Sequence, residues 1–299
     1  MKKLGSQPAA NPRSAKPVQS FSLARPILTC IILFLIALLF KWIDTFVLRW
    51  DELLGELILT KSLGFALVVA WVWAAGRKLM DIGLNANHLG WSLLIGALTT
   101  LFAFMVGYGV EFLFAAQQGA QPAFYLGAID PKMGVTGGTL FALWLVSSNF
   151  VNSFMEEGLF RGVIGRLARI RLSFWGTNWF QAFMFSIWHL PWVLKYYLLG
   201  EIESGSEIAM SVFFNSIPQL LIGIVYGYFF LKTGNLWAPW IAHTLSNSTG
   251  NIVHVTTSGG MDAGMPLRMA VYTVVMLLSL FWVRYVARRN QLPELKPWE

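Results

Sequence analysis

Charge is scarce in this 299-residue chain: Asp, Glu, Lys and Arg together make up 12% of it, where a soluble domain carries about 25%. That leaves too little polar surface to cover a water-soluble globule. Cysteine is nearly absent. The single Cys30 lies in an apolar run, which excludes an intrachain disulfide and any Cys-based metal site. The first apolar run is not followed by a small-residue cleavage site, so it is expected to stay as an uncleaved span and not to act as a signal peptide. No Ser-His-Asp pattern, Gly-rich phosphate loop or His-Glu-x-x-His pattern occurs. The formal net charge of +7 does not point to nucleic acid, because the basic residues follow the loops of a membrane protein.

Apolar residues reach 56%, the mean hydropathy is +0.58, and there are 14 Trp and 23 Phe. Aromatic rings at this density suit bilayer interfaces and packed spans. A hydrocarbon core of about 30 Å takes roughly 20 helical residues. On that ruler the chain is an all-α, polytopic membrane helix bundle of about eight transmembrane helices, near 27–47, 57–76, 89–113, 140–165, 176–197, 208–231, 235–254 and 267–285. Residues 1–25, polar and without apolar period, are expected to form a disordered cytoplasmic tail. Residues 26–290 form the eight-span domain and 291–299 a short cytoplasmic tail.

The basic residues set the orientation. Lys2, Lys3, Arg13, Lys16 and Arg25 precede the first span, and Arg77 and Lys78 follow the second. Arg166, Arg169 and Arg171 follow the fourth, Lys232 the sixth, and Arg284, Arg288 and Arg289 the eighth. The alternate loops hold Asp51, Glu52 and Glu56, then Asp130, then Glu201, Glu203 and Glu207. The bias alternates through all eight spans, which puts both termini in the cytoplasm of a multi-pass protein of the cell membrane. A bacterial plasma membrane is the expectation from a short, Trp-rich chain without a targeting tag.

Ionisable groups inside a span cost several kcal/mol and usually face a polar interior. Lys41, Asp44 and Glu111 lie toward predicted outer ends, where snorkelling accounts for them, and His88 and His254 lie at span boundaries. Three clusters resist that treatment. Asn149, Asn152, Ser153 and Glu156 fall three or four residues apart and share a helix face, while Glu157, about 100° away, is placed to pair with Arg161 at i,i+4. Gln181, Phe185 and His189 repeat at i,i+4, with Pro191 just beyond. His243 and Asn247 are one turn apart. Counted at 1.5 Å per residue, Glu156, His189 and His243 reach similar depths from the same side, which favours one shared site over three packing residues.

One Glu and two His are a donor set for zinc with an open position for water. The same residues also suit metal-free chemistry, with Glu156 and His189 as general bases on water and His243 and Asn247 as donors to an oxyanion. Amide hydrolysis is the reaction class both readings serve.

In order along the chain, Glu156-Glu157-x-x-x-Arg161, Phe185-x-x-x-His189 and His243-x-x-x-Asn247 resemble the three motifs of the CAAX-processing and bacteriocin-processing intramembrane proteases, which include the type II CAAX prenyl endopeptidases. No motif position departs from the pattern, and the motif-bearing protease core runs from about 140 to 255. The resemblance implies an intramembrane endopeptidase. In it Glu156 and His189 activate water, His243 and Asn247 stabilise the oxyanion, and Glu157 and Arg161 support the site. If a metal takes part, Glu156, His189 and His243 are its ligands and zinc is the candidate. The implied substrate is a membrane-associated peptide or protein, lipid-modified or not. Two other classes stand beside it: a non-proteolytic family member acting as a bacteriocin-immunity or scaffold protein, and a transporter, for which no inverted repeat of broken helices is visible.

Overall fold

Apolar runs of about 20 residues satisfy their own backbone as helices, the only open-chain form lipid tolerates. The computed structural model, which describes residues 16–298, forms helix over every one of the eight predicted stretches. In chain order the helices are α1 (Pro17–Ala24), α2 (Pro26–Ile43, continued by a π turn Asp44–Leu48), α3 (Asp51–Leu54), α4 (Ile58–Ala74), α5 (Leu89–Gln117), α6 (Thr139–Glu157, continued by a π coil Gly158–Gly165), α7 (Arg166–Ala168), α8 (Phe174–Ile187), α9 (Pro191–Leu198), α10 (Gly205–Thr233), α11 (Trp237–Ile252) and α12 (Met265–Arg289). Four of them, Pro26–Leu48, α5, α10 and α12, are long and apolar enough to cross a membrane by length and composition, and α4 is apolar but shorter. Of the tail expected to be disordered through residue 25, residues 1–15 lie outside the described residues and 17–24 are helical.

The bundle is not purely helical. β1 (Ala123–Leu126), β4 (Val253–Thr257) and β5 (Gly260–Met261) form a small antiparallel sheet, and β2 (Ala128–Ile129) pairs with β3 (Thr136–Gly137). The reason lies in Val253-His254-Val255-Thr256-Thr257, a β-branched run that suits a pleated strand better than the last turn of a helix. The predicted seventh span therefore ends at Ile252.

Two apolar clusters make the core. One gathers Phe34, Trp71, Phe160 and Trp188, the other Phe104, Tyr226, Phe229 and Tyr272. The outer faces are apolar as well: on α2, Cys30, Phe34 and Ala37 point in while Leu35 and Leu39 remain more than half exposed. A helix apolar all round belongs in lipid. Polar groups, by contrast, are drawn inward and paired. Lys61 pairs with Glu56, Lys195 lies 2.5 Å from Asp51, and Arg268 lies 3.0 Å from Glu111 and 2.9 Å from Asp262. Lys41, Asp44 and Glu111, expected to snorkel, are buried. Each finds an interior partner, since Arg268 holds Glu111, Asp44 accepts from the Thr60 amide at 2.7 Å, and Lys41 donates to a backbone carbonyl.

Helix α11, which carries one of the motifs, rests on α5 and α6. The approach to α5 is close: a Cβ on Gly96 would stand 2.1 Å from the Ala238 carbonyl oxygen. Small residues permit such backbone contact in membrane bundles. Gly96→Ala must move α11, and overpacking of this kind costs about 1–3 kcal/mol. We expect a lower unfolding temperature in detergent; an unchanged one would show slack between the two helices.

Candidate active site

The site is built where two helices, α6 and α8, end or lose their regularity beside the regular helix α11. Glu156 and Glu157 are the last residues of α6, and the chain then widens into the π coil, a form that often marks functional positions in helices. All eight residues of that coil are buried. His189 lies in the break between α8 and α9, not within a continuous span as the spacing suggested. Pro191 explains the break: it has no N–H, and its ring conflicts with the carbonyl four residues earlier, that of Ile187. The turn closes instead with the His189 amide on the Ser186 carbonyl at 3.1 Å. His243 sits in the second turn of α11, between Phe185 and Tyr226, whose ring centroids lie 6.0 and 5.4 Å away.

Hydrogen bonds and one ion pair fix how each group faces the interior. Glu157 Oε1 lies 2.8 Å from His243 Nδ1, and Glu157 Oε2 lies 3.2 Å from Arg161 Nε. The i,i+4 pair expected from the spacing is therefore present, and Glu157 also does what spacing did not disclose: it ties Arg161 to His243. A carboxylate only accepts, so His243 Nδ1 carries the proton and Nε2 is left toward Glu156, 3.7 Å from Oε2. His189 Nδ1 lies 2.8 Å from the Phe185 carbonyl oxygen, which by the same reasoning holds the proton at Nδ1 and frees Nε2. Glu156 Oε1 accepts from Trp188 Nε1 at 2.9 Å, while Oε2 is buried with no donor. A buried lone pair without a partner is costly unless water or substrate meets it.

Glu156, His189, His243 and Asn247 all line one cavity of about 280 Å3. The sequence-read clusters therefore converge. Asn149, from the first cluster, is used differently: its amide donates to Asn251 Oδ1 at 2.8 Å and so joins α6 to α11. Gln181 does not reach the cavity; it is buried against α10, donating to the Gly223 carbonyl at 2.9 Å. His88 and His254 lie outside the cavity, as expected.

Two participants escaped the sequence reading. Trp188 orients Glu156. Lys41 also lines the cavity, donates to the Trp188 carbonyl at 2.6 Å and stands 4.4 Å from the centre of the Trp188 ring. The available signal was a lysine inside an apolar run whose other charge is Asp44.

Zinc makes a stricter demand on the donor set. Among the described residues no three His, Cys, Asp or Glu side chains are grouped so as to hold a metal ion, so Glu156, His189 and His243 as they stand do not fit a ready-made metal cage. A water molecule, with two protons to donate, suits the free acceptors of two cavity-lining residues, Glu156 Oε2 and His189 Nε2.

Residues 138–249 match the family model of the type II CAAX prenyl endopeptidases, Rce1-like. That segment contains Glu156, Glu157, Arg161, His189, His243 and Asn247, and it bears out the resemblance carried by the three motifs. The family is one of proteases. No curated protein and no solved structure matches the chain.

Proposed function

We propose that the chain is an intramembrane endopeptidase that cuts a membrane-associated peptide or protein. It crosses the membrane eight times, with both termini cytoplasmic. The observation that carries the reading is the shared cavity: Glu156, whose Oε2 is buried without a donor, lines the same space as His189, His243 and Asn247.

In this mechanism Glu156 Oε2 takes a proton from water while His189 Nε2 accepts the second hydrogen bond and aims the oxygen. The water oxygen bonds to the scissile carbonyl carbon, and the carbonyl oxygen becomes an oxyanion. The Asn247 amide donates to it, and so does His243 Nε2–H when both ring nitrogens carry protons, the form for which Glu157 is the counter-ion. Glu156 then returns its proton to the departing amine as the C–N bond breaks, leaving a carboxylic acid, which gives its proton to the amine, and a free N-terminus. Lys41 and Trp188 hold Glu156 at the correct angle.

The test is a cleavage assay on purified wild type, Glu156→Ala and His189→Ala, with lipid-modified and unmodified membrane peptides offered side by side. The wild type alone should release product. Equal rates in all three proteins would remove these residues from the chemistry.

A further inference from the structure

The ends of α8, α10 and α12 enclose a second polar feature, far in sequence from the motifs. Two adjoining hollows of about 240 and 250 Å3 share Lys232, Arg284 and Arg288 in their walls. Lys232 stands in the last turn of α10, while Arg284 and Arg288 are one turn apart on α12. Glu294, which lines the second hollow, pairs with Lys232, but no carboxylate forms an ion pair with Arg284 or Arg288 among the described residues. That contrasts with the bundle interior, where Arg161 and Arg268 each meet a carboxylate. The floor is aromatic. Trp175 stacks on Tyr228 at 5.7 Å, and Lys232 lies 4.6 Å from the centre of the Phe174 ring.

From this geometry we infer that the hollow holds the phosphate headgroup of an anionic phospholipid. Two guanidinium forks without carboxylates offer paired N–H donors that match phosphate oxygens, and basic pockets between membrane helices bind such headgroups. A free phosphate would use the same donors. The walls favour a lipid, because exposed apolar stripes run away from the hollow along both flanking helices. On α12, Val274 and Phe281 lie on the same face as Arg284 and Arg288; on α8, Trp175, Trp179 and Phe183 repeat at i,i+4 and are all about half exposed or more. Acyl chains attached to the bound headgroup would lie along these stripes, as a soluble anion cannot.

The test uses full-length protein in nonionic detergent, equilibrated with equal amounts of phosphatidylglycerol and phosphatidylcholine, repurified, and assayed for retained lipid by mass spectrometry. Wild type should retain phosphatidylglycerol in about tenfold excess or more, as each basic residue at an anionic surface is worth about fivefold. Arg284→Gln/Arg288→Gln should retain the two lipids equally while eluting as a monodisperse peak. Lys78→Gln/Arg171→Gln, which removes two exposed charges of other predicted cytoplasmic loops, should keep the preference, and millimolar inorganic phosphate should not displace the lipid. Equal retention by wild type and the Arg284/Arg288 variant would overturn the proposal. So would an equal loss in the control pair, which would show diffuse attraction, or displacement by inorganic phosphate, which would assign the hollow to a free anion.

Discussion

Glu156→Gln is expected to slow cleavage by about 10²–10⁴-fold, the range spanned by a positioned general base, without a matching fall in thermal stability. The substitution is isosteric. The amide oxygen it introduces can still accept from Trp188 Nε1, which stands 2.9 Å from Glu156 Oε1, so the side chain keeps its place. What is lost is the lone pair of Oε2, which has no protein donor in the native site. Glu157→Gln removes the other carboxylate and should behave differently. Its two oxygens are engaged by His243 and Arg161, so the change uncovers a buried guanidinium and lowers the unfolding temperature along with the rate. Single-turnover cleavage and thermal unfolding measured on both variants separate the two roles. A Glu156→Gln protein that cleaves at the wild-type rate would sink the proposed mechanism.

The parts of this site that were legible in the sequence are those governed by short-range geometry. The pairing of Glu157 with Arg161 needed only four residues of helix. The membrane body needed only composition. What stayed hidden depends on which helices meet. Nothing local says that Glu157 also holds His243, 86 positions away, at 2.8 Å. Lys41 looked like a snorkelling residue because a lysine near the end of an apolar run has the same sequence signature whether its ammonium leaves the bilayer or turns inward. Here it is buried, with the Trp188 carbonyl as its acceptor. Glu111 shared that ambiguity and is held by Arg268, 157 residues later.

The position of His189 was half visible. Pro191 was in plain view, and its rule predicts a break, yet the apolar composition on both sides favoured one uninterrupted span. In the structure proline's local rule wins, and α8 gives way to α9 across a turn that carries both Trp188 and His189. The break has a chemical consequence. It lets one turn present an indole donor to Glu156 and an imidazole to the same cavity, which neighbouring residues on a regular helix, pointing about 100° apart, would not do.

Arg161→Met should be the most destabilising substitution in the bundle that leaves the proposed water-activating groups untouched. Arg161 is 0% exposed and Glu157 1%. Removing one member of a buried pair costs about 3–5 kcal/mol, because the other charge is left without compensation. The guanidinium also lies 4.4 Å from the Phe185 ring centre and donates to the Gly223 carbonyl at 3.4 Å, so it joins the π coil to α8 and α10. Removing both charges should cost less than the sum of the single changes, since a neutral pair of similar volume carries no uncompensated ion. Glu157→Gln/Arg161→Met should therefore recover part of the unfolding temperature lost in Arg161→Met. It keeps an amide oxygen that can accept from His243 Nδ1 but no counter-ion for the doubly protonated ring, so cleavage should stay below the wild-type rate while stability recovers. A full double-mutant cycle on unfolding in detergent reads the coupling directly. Strictly additive losses would show that Arg161 and Glu157 stabilise the bundle independently, and the tie from Arg161 through Glu157 to His243 would then have to be abandoned.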